Sequence, residues 1–488
     1  MINALNQTMK LSFTQNGAVT YRSSDSDCLD LFFSVGALRN ASDEAISKAV
    51  VRAYCENPEK TLKIIFYARD IREGLGERRF FRVALHTLGD FAPEAVIRNI
   101  RFISEYGRYD DLCALFGTAS EKAAFEEVET RLEADISAME NGESVSLLAK
   151  WLPSVNASSE ITRRYGKRLA RHLGMSEKKY RKTLSALRKY LDILENRLRE
   201  RDYTFKYDEQ PSCAMFKYHQ AFIRNDNERY NQYISDVSEG RAKINAAALY
   251  PYQVVRRALD AELTKDERRA LDMTWKNLKD YGGGEENENA LVVIDGSGSM
   301  YCDGILRPID AALSLGIYFA ERNKGVFADR FITFSQTPQL VKIKGRDIFE
   351  KVQYCSSFNE IANTNLEAVF ELILDTAVKN KLSQQDMPSR LYIISDMEFD
   401  YCVYGGNNMP LFELMEEIYR ANGYKLPTVV FWNVNSYGYN VPVTSSKTGV
   451  ALVSGSSPVL FDMISSGEIS AELIMENIIG RERYEKIA

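Results

Sequence analysis

Histidine is nearly missing from this chain of 488 residues: His86, His172 and His219 are the only three, and no two stand at metal-ligand spacing. That excludes an imidazole-built zinc site and removes the side chain most often used for general acid–base work. There is no Cys-x-x-Cys either. The seven cysteines, an odd number, are scattered at 28, 55, 113, 213, 302, 355 and 402, a pattern of free thiols in a reducing compartment and not of a disulfide framework. The phosphate loop G-x-x-x-x-G-K-[ST] and the elbow G-x-S-x-G are absent, and the glycines at 281–283 are too plain to cradle a phosphate. No apolar run approaches the roughly 20 residues that span a bilayer; Leu291 to Ile294 and Leu391 to Ile394 are among the longest. The opening MINALNQTMKLSFTQNG has neither the apolar core nor the cleavage site of a signal peptide. A cytoplasmic protein without a membrane partner is the expectation.

What is present is unevenly charged. The net charge is −6, yet residues 1–284 carry 45 Lys and Arg against 41 Asp and Glu, while 285–488 carry 17 against 27. Within the first part, residues 151–200 hold 13 basic and 5 acidic residues. Positive charge concentrated on one surface can bind a polyanion whatever the average.

The grammar of the chain changes near residue 284. After an irregular, polar start of about 40 residues, apolar residues recur every three or four positions in 44–57, 58–71, 76–91 and 93–107. Pro58 and Pro93 sit where a first-turn proline belongs, and Gly74 and Gly107 where a helix would stop. Short helices in succession predict stacked helical hairpins of the HEAT kind, without a clean repeat period. YGGGEENENA (281–290) reads as a joint. Beyond it, the runs at 291–295, 330–335, 390–396 and 428–434 are short, β-branched and aromatic. Amphipathic helices at 308–323, 365–380 and 411–422 alternate with them. That alternation predicts a mostly parallel, Rossmann-like sheet covered on both faces. The expected organisation is therefore a helical domain over 1–284 and an α/β domain over 285–488.

The strand LVVID runs straight into GSGSM, placing Asp295, Ser297 and Ser299 at alternate positions in a glycine-rich turn. Ligands of an open parallel sheet bind outside the carboxyl ends of its strands, where this loop falls. Asp396 ends the run RLYIISD, and Thr364 precedes the helix that starts at Asn365. Five hydroxyl and carboxylate groups converging there suit a hard cation, Mg²⁺ first. The plain alternative for the loop alone is a turn with a helix cap. The whole set resembles the metal-ion-dependent adhesion site of von Willebrand factor A domains. That resemblance implies direct coordination by the two serines and the threonine, with the aspartates acting through water. It also implies one position left open for an acidic group on a partner protein.

Two stretches of the helical half, ARDIREGLGERRFFR (68–82) and EYGRYDDLCALF (105–116), resemble signature sequences of the TROVE module of Ro autoantigens. SDMEFD (395–400) and KYRKTLSALRKYL (179–191) resemble the less characterised Ro-like branch. In that family a ring of helical repeats precedes an A domain, and its basic surface holds Y RNAs and ends of misfolded small RNAs. Read physically, Arg72, Glu77 and Arg78 suggest an inter-helix ion-pair network before they suggest RNA contact, and 106–111 reads as a loop tied to its own backbone. The RNA candidates lie further on: Arg164, Lys167, Arg168 and Arg171 at helical spacing, then Lys178, Lys179, Arg181, Lys182, Arg188 and Lys189, with Tyr165, Tyr180 and Tyr190 interleaved. Lysine and arginine neutralise phosphates, and exposed tyrosines stack on unpaired bases; a merely solvated helix face is the competing reading.

The expectation is a non-catalytic RNA-binding scaffold for small structured or misfolded RNA, with no DNA partner. Its A domain would recruit a protein through Mg²⁺. A hydrolytic metal-bound water would have only Glu398 or Asp303 as a candidate base. The rival is a protein-interaction adaptor that uses the helical solenoid and the cation site without nucleic acid.

Overall fold

The computed structural model describes residues 11–13, 19–260, 262–281, 289–304, 306–335, 337–358, 365–399, 411–435, 441–444, 447–464 and 470–488. Thr364, Cys402 and residues 282–288 of the expected joint lie outside them.

Local sequence accounts for the helix starts. Ser42 and Asn57 accept from the amides of Ala45 and Lys60, opening the helices Asp43–Glu56 and Pro58–Arg69, and Pro58 and Pro93 occupy first turns. Gly107 ends the turn Ile103–Tyr106 as expected. Gly74 does not end a helix. The chain leaves Pro58–Arg69 at Asp70, and Gly74 lies so close to the Tyr67 carbonyl that no Cβ fits. The first 40 residues are less irregular than their composition suggests. Strands β1 (Leu11–Phe13) and β2 (Val19–Tyr21) pair antiparallel, and Asp27–Ser34 is a helix with six of its eight residues buried. Buried almost all round, that helix shows no amphipathic period to read.

From Asp43 onward the helices follow one another as expected. Tyr250 and Tyr252, near the end of the helical part, then return to its beginning. The Arg39 guanidinium lies 5.9 Å from the centroid of the Tyr252 ring, and the Tyr250 hydroxyl sits against Gly76. The helical region closes back on itself.

The second part is a six-stranded sheet in the order β5-β4-β3-β6-β7-β8. Its strands are β3 (Ala290–Asp295), β4 (Arg330–Phe334), β5 (Leu340–Lys342), β6 (Arg390–Ser395), β7 (Thr428–Asn433) and β8 (Val450–Ser454). All neighbours run parallel except β5, an antiparallel edge. Helices including Pro308–Arg322, Leu366–Asn380 and Leu411–Ala421 alternate with the strands. The fold is a helical region followed by a Rossmann-like α/β sheet of the A-domain kind.

One hydrophobic core runs from Cys28 through the first helices into all six strands, across the expected 284/285 boundary; a smaller one gathers Leu194 to Val237. The contacts between the two parts are close. The Gly36 amide donates to Ser454 Oγ (2.9 Å), which donates to the Phe32 carbonyl (3.1 Å). Trp275 Nε1 donates to Glu321 (2.6 Å), and Arg268 pairs with Asp347 (2.6 Å). The final helix, Glu482–Glu485, docks onto the helical part. Arg483 and Tyr484 both bond Asp70 (2.8 and 3.2 Å), and the Tyr484 ring stacks on Tyr106 at 5.8 Å. Among the described residues no helix is long and apolar enough to cross a membrane.

Candidate functional site

Strand order decides where the carboxylates meet. From β3 the chain moves to β4 on one side, while β6 lies on the other, so the carboxyl ends of β3 and β6 flank a topological switch point. Asp295 is the last residue of β3, and Asp396 directly follows β6. Both are buried. Asp295 accepts from the Ser297 amide (2.9 Å) and the Ser395 hydroxyl (2.5 Å), which fixes its carboxylate in the loop. Ser297 Oγ and Ser299 Oγ are 3.1 Å apart. The structure thus brings four of the five expected ligands to one sheet edge; the fifth, Thr364, is outside the described residues.

The electrostatics there are unbalanced. Burial, then repulsion from Asp396, pushes the Asp295 carboxyl well above the ordinary range. Burial also raises Asp396, and bonds from the Ser299 hydroxyl and the Glu398 amide pull it only partly back. Asp396 Oδ2 is buried without a hydrogen-bond partner. Two desolvated carboxylates, an orphaned oxygen and two adjacent hydroxyls fit a small hard cation. Among the described residues, this edge included, no three carboxylate, imidazole or thiol groups cluster as a metal site, so a cation here would rest on two carboxylates and the hydroxyls. Glu398 is buried beside Asp396, and Asp303 is exposed.

The basic candidates lie on two consecutive helices, Glu160–His172 and Glu177–Tyr190. Arg164, Lys167, Arg171, Lys178, Lys179, Arg181, Lys182 and Lys189 are exposed. Of these Lys167 pairs with Glu177 (3.3 Å), and the two remaining candidates are held more firmly. Arg168 pairs with Glu121. Arg188 donates to the carbonyls of Ala149 (2.7 Å) and Leu152 (3.0 Å) and to Ser154 Oγ (3.0 Å), so it ties its helix to the preceding segment. The tyrosines divide similarly. Tyr180 is fully buried, Tyr165 packs edge-on against Phe116, and Tyr190 alone is exposed. Tyr180 and Arg188 are therefore packing residues, because their positions face the neighbouring helices.

The histidines are dispersed. His86 Nδ1 lies 3.0 Å from the Ala114 carbonyl, His172 packs on Phe125, and His219 sits beside Arg257. None is at the sheet edge with the carboxylates.

Two family models match the chain. One, described as a domain of unknown function (DUF7788), covers residues 289–484. The other, a domain of unknown function (DUF2828), covers 14–132 and 129–281, more than half of the chain. The chain belongs to the DUF2828 family. A relative, uncharacterized protein L728 of Acanthamoeba polyphaga mimivirus, is 28% identical over 94% of this chain and 85% of its own length. Among solved structures, the Deinococcus radiodurans Ro (RSR) protein aligns over 93% of each chain at 12% identity and a TM-score of 0.34. A likeness that slight carries no argument.

In this DUF2828 chain one contributor to the geometry of the sheet edge lies outside the sequence motif. Ser395 donates to Asp295 from the adjacent strand. Its position directly before Asp396 at a strand end is the signal that could have found it. The motif 68–82 resolves into structure. Glu77 pairs with Arg39 (2.8 Å), not with Arg72 or Arg78, and Asp70 anchors the C-terminal helix. The loop 106–111 is tied to itself as expected: the Arg108 amide donates to Asp111 (3.0 Å).

Proposed function

We propose that this protein is a non-catalytic, Ro-like RNA-binding scaffold whose A-type half recruits a protein partner through Mg²⁺. The observation that carries the RNA half is the row of eight exposed lysines and arginines on the helices Glu160–His172 and Glu177–Tyr190. Exposed charges with few acidic neighbours neutralise phosphates and release counterions. The Ro-like resemblance of 68–82, 105–116 and 179–191 supports small structured or misfolded RNA as the ligand. Tyr190, the exposed tyrosine of the three, would stack on an unpaired base.

The cation half rests on Asp295, Ser297, Ser299 and Asp396, which would hold Mg²⁺, with Thr364 as the fifth group. A bound ion would supply a coordination position for a partner's carboxylate. Ser395 donates to Asp295, the Ser297 amide does so within the turn, and the hydroxyls of Ser297 and Ser299 stand 3.1 Å apart.

The test is a filter-binding titration of the full chain with structured small RNA across a salt series. Joint replacement of Arg164, Lys167 and Arg171 by glutamine should flatten the salt dependence and weaken binding at least tenfold. Asp295→Ala should leave RNA affinity unchanged. Unaltered affinity in the triple variant refutes the RNA reading. An adaptor without nucleic acid then becomes the better account, and magnesium chelation should release a protein partner.

A further inference from the structure

A cavity of about 260 Å³ lies where the helical part closes on itself and meets the sheet. It is lined by Arg39, Gly76, Glu77, Arg78 and Tyr250 from the helical side and by Ser456, just past β8, from the sheet side. Because Ser456 follows the carboxyl end of a parallel strand, the cavity opens on the same sheet edge as Asp295 and Asp396.

Three features give it a sign. Arg39 binds Glu77 through Nε (2.8 Å) and Ser456 through Nη2 (2.8 Å), yet its Nη1 is buried with no hydrogen-bond partner. The Tyr250 hydroxyl is likewise buried and unpartnered. Buried donors without acceptors are costly and rare in folded proteins. The third feature is the start of the helix Arg78–Phe91, whose amides no side chain caps. Such a terminus carries positive potential and free N–H groups. Glu77, the one carboxylate lining the cavity, is already neutralised by Arg39. Arg78, which is exposed, also lines the cavity.

We propose that this cavity binds a phosphoryl group. Two orphaned donors, an uncapped helix start and a free arginine match the several acceptor oxygens of a phosphate monoester. The volume is below the ~300–1,000 Å³ of pockets that enclose drug-sized ligands. It is nonetheless more than a phosphate alone fills, so part of whatever carries the phosphate also fits inside. The phosphate has two possible sources, a free mononucleotide or the phosphorylated end of an RNA strand, and both offer the same group.

The experiment is calorimetric titration of the full chain at low ionic strength. Its probes are inorganic phosphate, adenosine monophosphate and a short oligoribonucleotide with either a 5′-phosphate or a 5′-hydroxyl. One site per chain is expected for phosphate. Tyr250→Phe, which removes only the orphaned hydroxyl, should weaken it about fivefold, and Arg78→Ala about threefold. Those two reductions on phosphate and the mononucleotide support a free-nucleotide site. The same reductions confined to the 5′-phosphorylated oligonucleotide support a strand-end site. No heat with any phosphorylated probe, or affinities unchanged in both variants, overturns the proposal. The Arg164, Lys167 and Arg171 triple variant should still bind phosphate normally, so failure of the RNA reading and failure of this one are separable.

Discussion

Two arginine-rich regions of the helical part use the same side chain in opposite ways. Between residues 69 and 111 the buried charges, Arg69, Asp70, Glu77 and Asp111, all end on partners. Arg69 and Arg82 both reach Asp111 (2.8 and 2.6 Å), Arg108 reaches Asp110 (2.9 Å), and Asp70 receives Arg483 from the far end of the chain. Between 160 and 190 the charges stay in solvent, apart from Arg163 on the carbonyls of Ala157 and Ser158, Arg168 on Glu121, Lys167 on Glu177 (3.3 Å) and the packed Arg188. The difference lies in the acids. The first region interleaves aspartates at the positions its arginines face; the second has Glu160 and Glu177 as the only acids of its two helices. Where acid and base are matched and buried, charge holds structure. Where base stands alone, it is available to a ligand.

The sharpest way to break that contrast is Asp111→Ala. Asp111 is fully buried and Arg69 nearly so, and the substitution leaves the Arg69 guanidinium desolvated without its acceptor. Loss of one partner from a buried pair costs about 3–5 kcal/mol, so urea denaturation should show that decrease. An effect below about 1 kcal/mol, the range of an exposed pair, would mean that this pair is not what holds the region.

A buried base without a matched acid should behave differently again. His219 is pushed down to about 4 by burial and then by Arg257, while Glu267 stands 3.8 Å away. The folded state keeps the imidazole neutral, whereas the unfolded chain takes up a proton near pH ~6.5. The unfolded state therefore binds more protons between those values. The contribution is complete above pH ~6.5 and diminishes as pH falls towards 4, by about 3 kcal/mol in all. His219→Gln should flatten the stability profile over that window; an unchanged slope would assign it to other groups.

The same contrast explains what is legible in the sequence. Strands β3, β4, β6 and β7 and the helices Pro308–Arg322, Leu366–Asn380 and Leu411–Ala421 are readable to within a residue or so, since buried parallel strands and amphipathic helices have strong local signatures, whereas the helix Ile348–Ser356 is not. The four carboxylate and hydroxyl positions at the sheet edge are readable for a related reason: strand ends and a Gly-Ser turn fix them locally. Asp70 is not. Its partner is 413 residues away, and nothing in 68–82 says that the chain's last helix returns to it. Arg188 and Tyr180 pass for RNA-facing residues because the lysines and arginines around them hide which face of Glu177–Tyr190 turns inward. The short antiparallel β5 and the helix Asp27–Ser34 lack the periodic signal altogether.

The smallest expected change in stability is also the most discriminating for function. Arg164, Lys167 and Arg171 are exposed, and only Lys167 has an acidic neighbour, itself more than half exposed. Replacing all three by glutamine should move folding stability by no more than about 0.5 kcal/mol per site, because exposed pairs and solvated charges contribute little. Against RNA the same variant leaves up to three phosphates without a cationic partner. The slope of log affinity against log salt should then become shallower by about 0.7 for each such phosphate on a single strand. A folded, equally stable protein with a shallower salt dependence is the signature of a binding face. A fall in stability of several kcal/mol would instead place these residues with Arg69 and Arg82, as structure.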